Sequence, residues 1–251
     1  MYKIPANLGF ASNLVHYLPT CHSTNEIAAN MLANGLEEGS VVLTDFQSAG
    51  KGQPGNRWES KPYVNLTFSL VLKPSFLDLN KQFKLTQAIS ISVATVVQNH
   101  ISEIVKIKWP NDIYIGYGKV AGILIQNSVK NRAIESCIVG IGLNVNQQEF
   151  ETKGAVSMRT STGSSFDLNE ILVEIIKEIA ENYTLLKAGR FLDLDNEYQN
   201  SLYARNQTEL FESDSQFYGE IIGTDQLGRL LIKTSEGIKH FQNQEVRLIR
   251  S

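Results

Sequence analysis

Four short stretches of the chain hold polar residues that packing alone does not ask for. In QSAGKGQPGNRW, residues 47–58, Gly50, Gly52 and Gly55 give a backbone rich in accessible N–H groups, Lys51 and Arg57 add positive charge, and Gln47 closes a β-rich run. Such a loop suits a phosphate. In STNEIA, Thr24 and Asn25 can offer a hydroxyl and an amide to a ligand from the first turn of a helix, or serve with Ser23 only to start it. In KIKWPNDIYIGYGKVAG, Lys108, Asn111 and Asp112 cluster about a Trp-Pro turn, and Lys119 follows one strand later beside Gly122, where alternation half-buries it. A lone strand lysine is more often a solvated face residue. In GIGLNVN, Gly140 and Gly142 interrupt an apolar strand, so that something presses closely on its backbone, and Asn144 follows.

The spacing of Gly50, Gly52 and Gly55 fits G-x-G-x-x-G, but the setting is wrong for a dinucleotide fold. That fingerprint needs a helix directly after the glycines. Here Asn56, Pro62 and a β-rich run from Tyr63 to Leu72 leave no room for one.

The elements that must hold these stretches can be read from periodicity. STNEIAANMLANG predicts a helix with Ser23 and Glu26 as a capping box and Gly35 closing it. NLVHYL, SVVLTDF and YVNLTFSLVL read as strands, and KLTQAISISVATVVQNH as a long helix covering one sheet face. VKIKW, DIYI, KVAGILIQ and ESCIVGIGLNV are β-rich runs between Pro, Gly and Asn signals, which predicts a mostly antiparallel meander. LNEILVEIIKEIAENYTLLK is a second long amphipathic helix, leading through FLDLDNEYQNSLY into a tail of short strands. The expected class is α/β (α+β), a mixed, mostly antiparallel sheet with flanking helices. A boundary is expected near residue 203, giving a main domain over 1–202 and a tail over 203–251 with the length and strand count of a small SH3-like barrel.

At 251 residues with 20% charged residues, the chain can bury a sizeable core, and its formal net charge of −3 gives no global attraction for nucleic acid. No apolar stretch reaches membrane-spanning length. The start lacks the apolar core of a secretory signal, so a cytoplasmic protein is expected. Cys21 and Cys137 are too few for a disulfide framework, and His16, His22, His100 and His240 lack metal-site spacing.

Taken in order, STN, GKGQPGNRW, KWPNDIYIGYGKVAG and GIGLN resemble the motifs of the biotin protein ligase family, nearly from end to end of the chain. The resemblance implies a class II synthetase-like biotin/lipoate ligase fold followed by an SH3-like domain. It also implies two-step chemistry: biotin and Mg-ATP give biotinyl-5′-AMP, and a lysine of a biotin carboxyl carrier protein then takes the biotinyl group. Carried over by motif, Lys119, Lys51 and Asp112 would be catalytic. Ser23, Thr24, Asn25, Gln47, Gly50, Lys51, Gly52, Gln53, Lys119, Gly122 and Gly140 would meet biotin. Lys51, Gln53, Arg57, Trp58, Lys108, Asn111, Asp112 and Asn144 would serve ATP, with Mg2+ arriving on the nucleotide near Asp112. Trp58 would cover the adenine or simply anchor the loop end.

Two departures from the family stand out. The S-T-N motif begins at residue 23, which leaves no room before it for the DNA-binding domain of some members, so no DNA partner is expected. The loop carries Gln53 and Asn56 where arginine is frequent, which predicts a looser hold on the adenylate. A homodimer is left open. The alternatives are a lipoate ligase-like acyl transferase and a non-catalytic sensor of biotinyl-AMP.

Overall fold

A computed structural model describes residues 2–5, 10, 14–52, 55 and 57–249. Seven strands, β1 (Val15–Cys21), β2 (Val41–Gln47), β3 (Leu66–Leu72), β4 (Val105–Lys108), β5 (Asp112–Ile115), β6 (Gly118–Lys130) and β7 (Ala133–Leu143), form one sheet in the order β1-β2-β3-β7-β6-β5-β4. Only β1 and β2 run parallel, joined across helix α1 (Thr24–Ala33); every other pair is antiparallel. The mixed, mostly antiparallel sheet is as the sequence predicts.

Because side chains alternate along a strand, paired residues line up into rows on opposite faces. Leu43, Phe68, Ile141 and Ile123 form one row, all nearly or fully buried. Each such side chain contributes roughly 1.5–3 kcal/mol on burial. Helix α2 (Gln82–His100) packs against β4, β5 and β6 and carries α4 (Leu168–Lys187) and α5 (Phe191–Ser201). A short α3 (Met158–Thr162) precedes α4. On the opposite face α1 packs Ala28 against Val42, Val71 and Ile138. It covers only the part over β2, β3 and β7, and the rest stays open for the site.

The tail forms an antiparallel five-stranded sheet, β8 (Thr208–Glu212), β9 (Gln216–Thr224), β10 (Leu230–Thr234), β11 (Gly237–Phe241) and β12 (Arg247–Ile249), in the order β11-β10-β9-β8-β12. It rests on the Trp-Pro turn and on α2: Trp109 Nε1 donates to the Gly228 carbonyl at 2.9 Å, and a Cβ on Gly228 would overlap the Phe83 ring. Tyr203 N–H donates to the Ile107 carbonyl at 2.9 Å, which ties the start of the tail to β4. Among the described residues no helix is long and apolar enough to cross a membrane.

Three local expectations are corrected. The strand expected from Tyr63 starts at Leu66, because Tyr63 sits in a turn at φ 66°, outside strand geometry. FLDLDNEYQNS is the helix α5: Gly189 turns the chain at φ 73°, and Leu194 and Tyr198, four apart, are buried on one face. The capping box at Ser23 does not form. Ser23 holds the cap position with no side-chain cap bond, and Glu26 reaches instead to Lys51 and His22.

Candidate active site

One row of paired residues builds the floor of the site. Thr44, Thr67, Gly142, Gly122, Asp112 and Lys108 lie side by side across β2, β3, β7, β6, β5 and β4. The two glycines leave a trough in the middle, and the charged residues stand at the rim. Ser69 and Gly140 form the next row on the same face.

Lys119 joins this face through a break in register. Asp112 pairs with Gly122 and Ile113 with Ala121, but Tyr114 pairs with Lys119, so Val120 is an extra residue. A regular strand would put Lys119 and Gly122 on opposite faces; the bulge re-aims the lysine. Its Nζ then lies 2.7 Å from Asp112 Oδ1 and 5.9 Å from the centre of a Trp58 ring. The Lys119 backbone is held as well, its N–H donating to the Gly154 carbonyl at 2.8 Å and its carbonyl accepting from the Val156 N–H at 3.0 Å.

At the other end of the trough the first turn of α1 is fixed by a side chain from β2. Gln47 Oε1 accepts the Thr24 N–H at 2.8 Å and lies 3.2 Å from Thr24 Oγ1, satisfying one of the free donors at the helix N-terminus. Ser69 Oγ lies 2.6 Å from Asn25 Oδ1 and 2.8 Å from Thr24 Oγ1, and Asn25 Nδ2 donates to Gln126 Oε1 at 3.0 Å. A Cβ on Gly140 would overlap the Asn25 amide, which accounts for that glycine. The result is a buried, preset array of hydroxyls and amides at a helix N-terminus.

The glycine loop returns on itself as a small hairpin. Lys51 and Arg57 form an antiparallel bridge, and Trp58 N–H donates to the Gly50 carbonyl at 3.1 Å. A Cβ on Gly50 would stand 2.8 Å from the Trp58 carbonyl oxygen, so close approach requires glycine there. The hairpin delivers the Trp58 ring onto Gly142 and Gly122. Its Nε1 is buried without a hydrogen-bond partner, as is Asn144 Oδ1, whose amide nitrogen donates to the Val156 carbonyl at 3.0 Å.

Two cavities flank this indole. The first, of about 330 Å³, runs from Ser23, Thr24, Asn25 and Gln47 over Gly140 and Gly122 to Asp112 and Lys119, with Lys51 and Gly52 on its loop side. The second, of about 370 Å³, lies between Trp58, Lys108, Tyr114 and Asn144 on one side and Phe150, Thr152 and Lys153 on the other. Arg57, Trp58, Lys119 and Thr152 line both. Both volumes are typical of small-molecule sites.

Several predicted residues are placed differently from expectation. Gly50 does not line the first cavity, because the hairpin closure uses it. Asn111 lines neither: it is buried, and its Nδ2 donates to the Ile123 carbonyl at 2.7 Å, bracing the turn against β6. The Lys51 ammonium pairs with Glu26, which also contacts His22 at 2.8 Å, and the Lys51 hydrogen bond holds the Glu26 carboxyl below its ordinary range. Gln53 lies outside the described residues, as does Asn56. Among the described residues no group of three or more His, Cys, Asp or Glu side chains is disposed to hold a metal. Sequence reasoning missed Phe150, Thr152 and Lys153, which sit in an irregular segment with no motif to mark them.

The model of the biotin/lipoate A/B protein ligase family matches residues 17–144, from within β1 to Asn144, just past β7. The chain belongs to this family. Among relatives of this ligase family, the bifunctional ligase/repressor BirA of Bacillus subtilis is 30% identical over 238 residues, covering 92% of this chain and 73% of that protein. The biotin--[acetyl-CoA-carboxylase] ligase of Paracoccus denitrificans is 28% identical over 223 residues, covering 86% of this chain and 92% of that one. The biotin protein ligase of Aquifex aeolicus, solved in complex with biotin and ATP, superposes on this member of the family with a TM-score of 0.80 at 27% identity, over 96% of this chain and 100% of that chain.

Proposed function

We propose that the two cavities are the substrate sites of an ATP-dependent biotin protein ligase, joined at Lys119. The chain makes biotinyl-5′-AMP from biotin and ATP, then passes the biotinyl group to a lysine of a biotin carboxyl carrier protein. A carboxylate does not acylate an amine at neutral pH, because its oxygen leaves poorly. In the first step a biotin carboxylate oxygen attacks the α-phosphorus and pyrophosphate leaves with the bonding electrons. In the second the carrier amine attacks the acyl carbon and AMP leaves. Negative charge grows on oxygen in both, and a fixed cation where the two cavities meet stabilises it. The observation that carries the reading is the position of Lys119 in the walls of both cavities.

The first cavity fits biotin by its chemistry. A ureido group offers paired N–H donors and a carbonyl, and the Thr24, Asn25, Gln47 and Ser69 array offers hydroxyls and amides of both senses. With the head there, the valeric chain runs beside the Trp58 indole and its carboxylate arrives at Lys119. A dithiolane head, as in lipoate, offers this polar array no hydrogen bond in return for the water it displaces, which favours biotin over the lipoate reading.

The second cavity takes the nucleotide. Trp58 and Phe150 offer apolar cover for the base, and Lys108 and Lys153 offer charge. Mg2+ would be held chiefly by the phosphates, with Asp112 as the carboxylate the family motif supplies, and would screen the phosphate charge. In this assignment residues 1–202 carry the chemistry, residues 203–251 form a second unit, and the enzyme works in the cytoplasm. The reading is tested by adenylation assays with biotin and with lipoate in turn. Biotin-dependent pyrophosphate release is expected, and equal release with lipoate overturns the choice of substrate.

A further inference from the structure

Glu59 follows Trp58 directly, and its carboxylate serves a different loop. Oε1 accepts the Glu151 N–H at 3.0 Å and Gln147 Nε2 at 3.2 Å. Oε2 accepts the Thr152 N–H at 2.9 Å and the Thr152 hydroxyl at 2.7 Å. Burial works against ionisation here, but the hydrogen bonds from Thr152, Glu151 and Gln147 outweigh it and hold the carboxyl below its ordinary range. The acceptor is therefore ionised at neutral pH, the strong form for such bonds.

The segment so gripped, residues 147–155, is irregular, and it supplies Phe150, Thr152 and Lys153 to the second cavity. Its far end is already fixed to the Lys119 backbone through Gly154 and Val156. Without Glu59, its near end would keep the Gln147 contacts to Lys61 and Asn65 and the Lys61–Glu149 ion pair, but lose the Glu59 bonds at Glu151 and Thr152 that, among the described residues, tie it to the end of the glycine loop. We propose that Glu59 is a positioning residue: it clasps the glycine loop to the 147–155 segment, so that Trp58 and Thr152 are set together as walls of the nucleotide cavity. The inference rests on the reading of that cavity as the ATP site. Its chemistry is a carboxylate collecting neighbouring donors: Glu59 borders the second cavity, but its two oxygens are taken up by Gln147, Glu151 and Thr152.

Most of these bonds lie at the surface, so water replaces them when the carboxylate is removed, and the fold is expected to survive. Glu59→Ala deletes the clasp. Glu59→Gln keeps the shape but turns an amide NH2 toward backbone donors, and serves if the alanine variant misfolds. Binding of biotin alone and of a non-hydrolysable ATP analogue is measured by calorimetry on each full-length variant, with steady-state KM and kcat beside it.

Affinity for the analogue is expected to fall by about three- to thirtyfold and biotin affinity by clearly less, since Trp58 and Thr152 also border the first cavity, and KM for ATP should rise more than kcat falls. Glu59→Asp, shorter by one methylene, should recover part of the loss. Unchanged affinity for the analogue in both variants overturns the clasp. Equal weakening of biotin and analogue with a lowered Tm also overturns it, since that marks a general structural role. An unaltered protein that binds no analogue overturns the reading of the cavity itself, and that result needs no variant to be seen.

Discussion

Trp58 lies so close to Gly142 that a Cβ there would overlap its indole ring, and a Cβ on the neighbouring Gly122 would stand 3.2 Å from ring atom Cζ3. The glycines that interrupt an apolar strand are therefore a seat for the tryptophan that ends the glycine loop. Gly142→Ala is expected to lift the ring, at a cost of about 1–3 kcal/mol if the loop cannot yield. The Trp58 contribution to fluorescence, isolated by difference from a Trp58→Phe variant, should shift to longer wavelength. An unshifted contribution would show that the seat is not needed.

Lys119 lines both cavities, as Arg57 does, and it is held by Asp112 at 2.7 Å. Lys119→Ala is expected to slow adenylation by roughly a hundredfold or more, the usual effect of removing a preorganised donor. Asp112→Asn should slow it less, by about tenfold, because the lysine stays but loses its ionic anchor. A Lys119→Ala enzyme within about threefold of the parent would remove Lys119 from the chemistry.

The loop from Gln47 to Trp58 is closed on itself by the bridge between Lys51 and Arg57 and tied to α1 through Lys51 and Glu26. Amide exchange across this loop should slow markedly when biotin and an ATP analogue are added together. Exchange that does not respond would make the loop a static turn.

Gln53 lies outside the described residues, and its prediction stands on sequence alone. A neutral amide there gives up the charge-assisted bond that an arginine would make to the phosphate, a contribution of roughly 1.5–3 kcal/mol. Gln53→Arg should slow release of preformed biotinyl-AMP in the absence of carrier, by up to about tenfold to a hundredfold. Equal or faster release would show that the arginine is dispensable in this loop.

The long elements were legible because periodicity alone defines them: the twenty residues of α4 and the pairing of β6 with β7 follow from apolar spacing and turn residues. The close approaches at Gly140 and Gly142 were also legible, since glycine inside an apolar strand has few other reasons to be there. What escaped depends on contacts distant in sequence. Glu26 looked like half of a capping box, and only the fold brings Lys51 to it and gives the cap to Gln47 from another strand. Asn111 looked like a ligand-facing amide until the turn placed it under the Ile123 carbonyl. The bulge at Val120, on which the aim of Lys119 depends, leaves no mark in the sequence, because it is a matter of register between two strands.

The central claim is that Lys119 joins a biotin cavity to a nucleotide cavity for one continuous reaction. The most direct measurement is transfer of labelled biotin to a biotin carboxyl carrier domain in the presence of Mg-ATP, run with the parent enzyme and with Lys119→Ala, each supplied first with free biotin and then with preformed biotinyl-AMP. The parent should label the carrier from either source, while the variant should fail from free biotin and keep part of its transfer from the adenylate. A parent enzyme that binds biotinyl-AMP but never labels the carrier, or a variant that labels it from free biotin as fast as the parent, would contradict it.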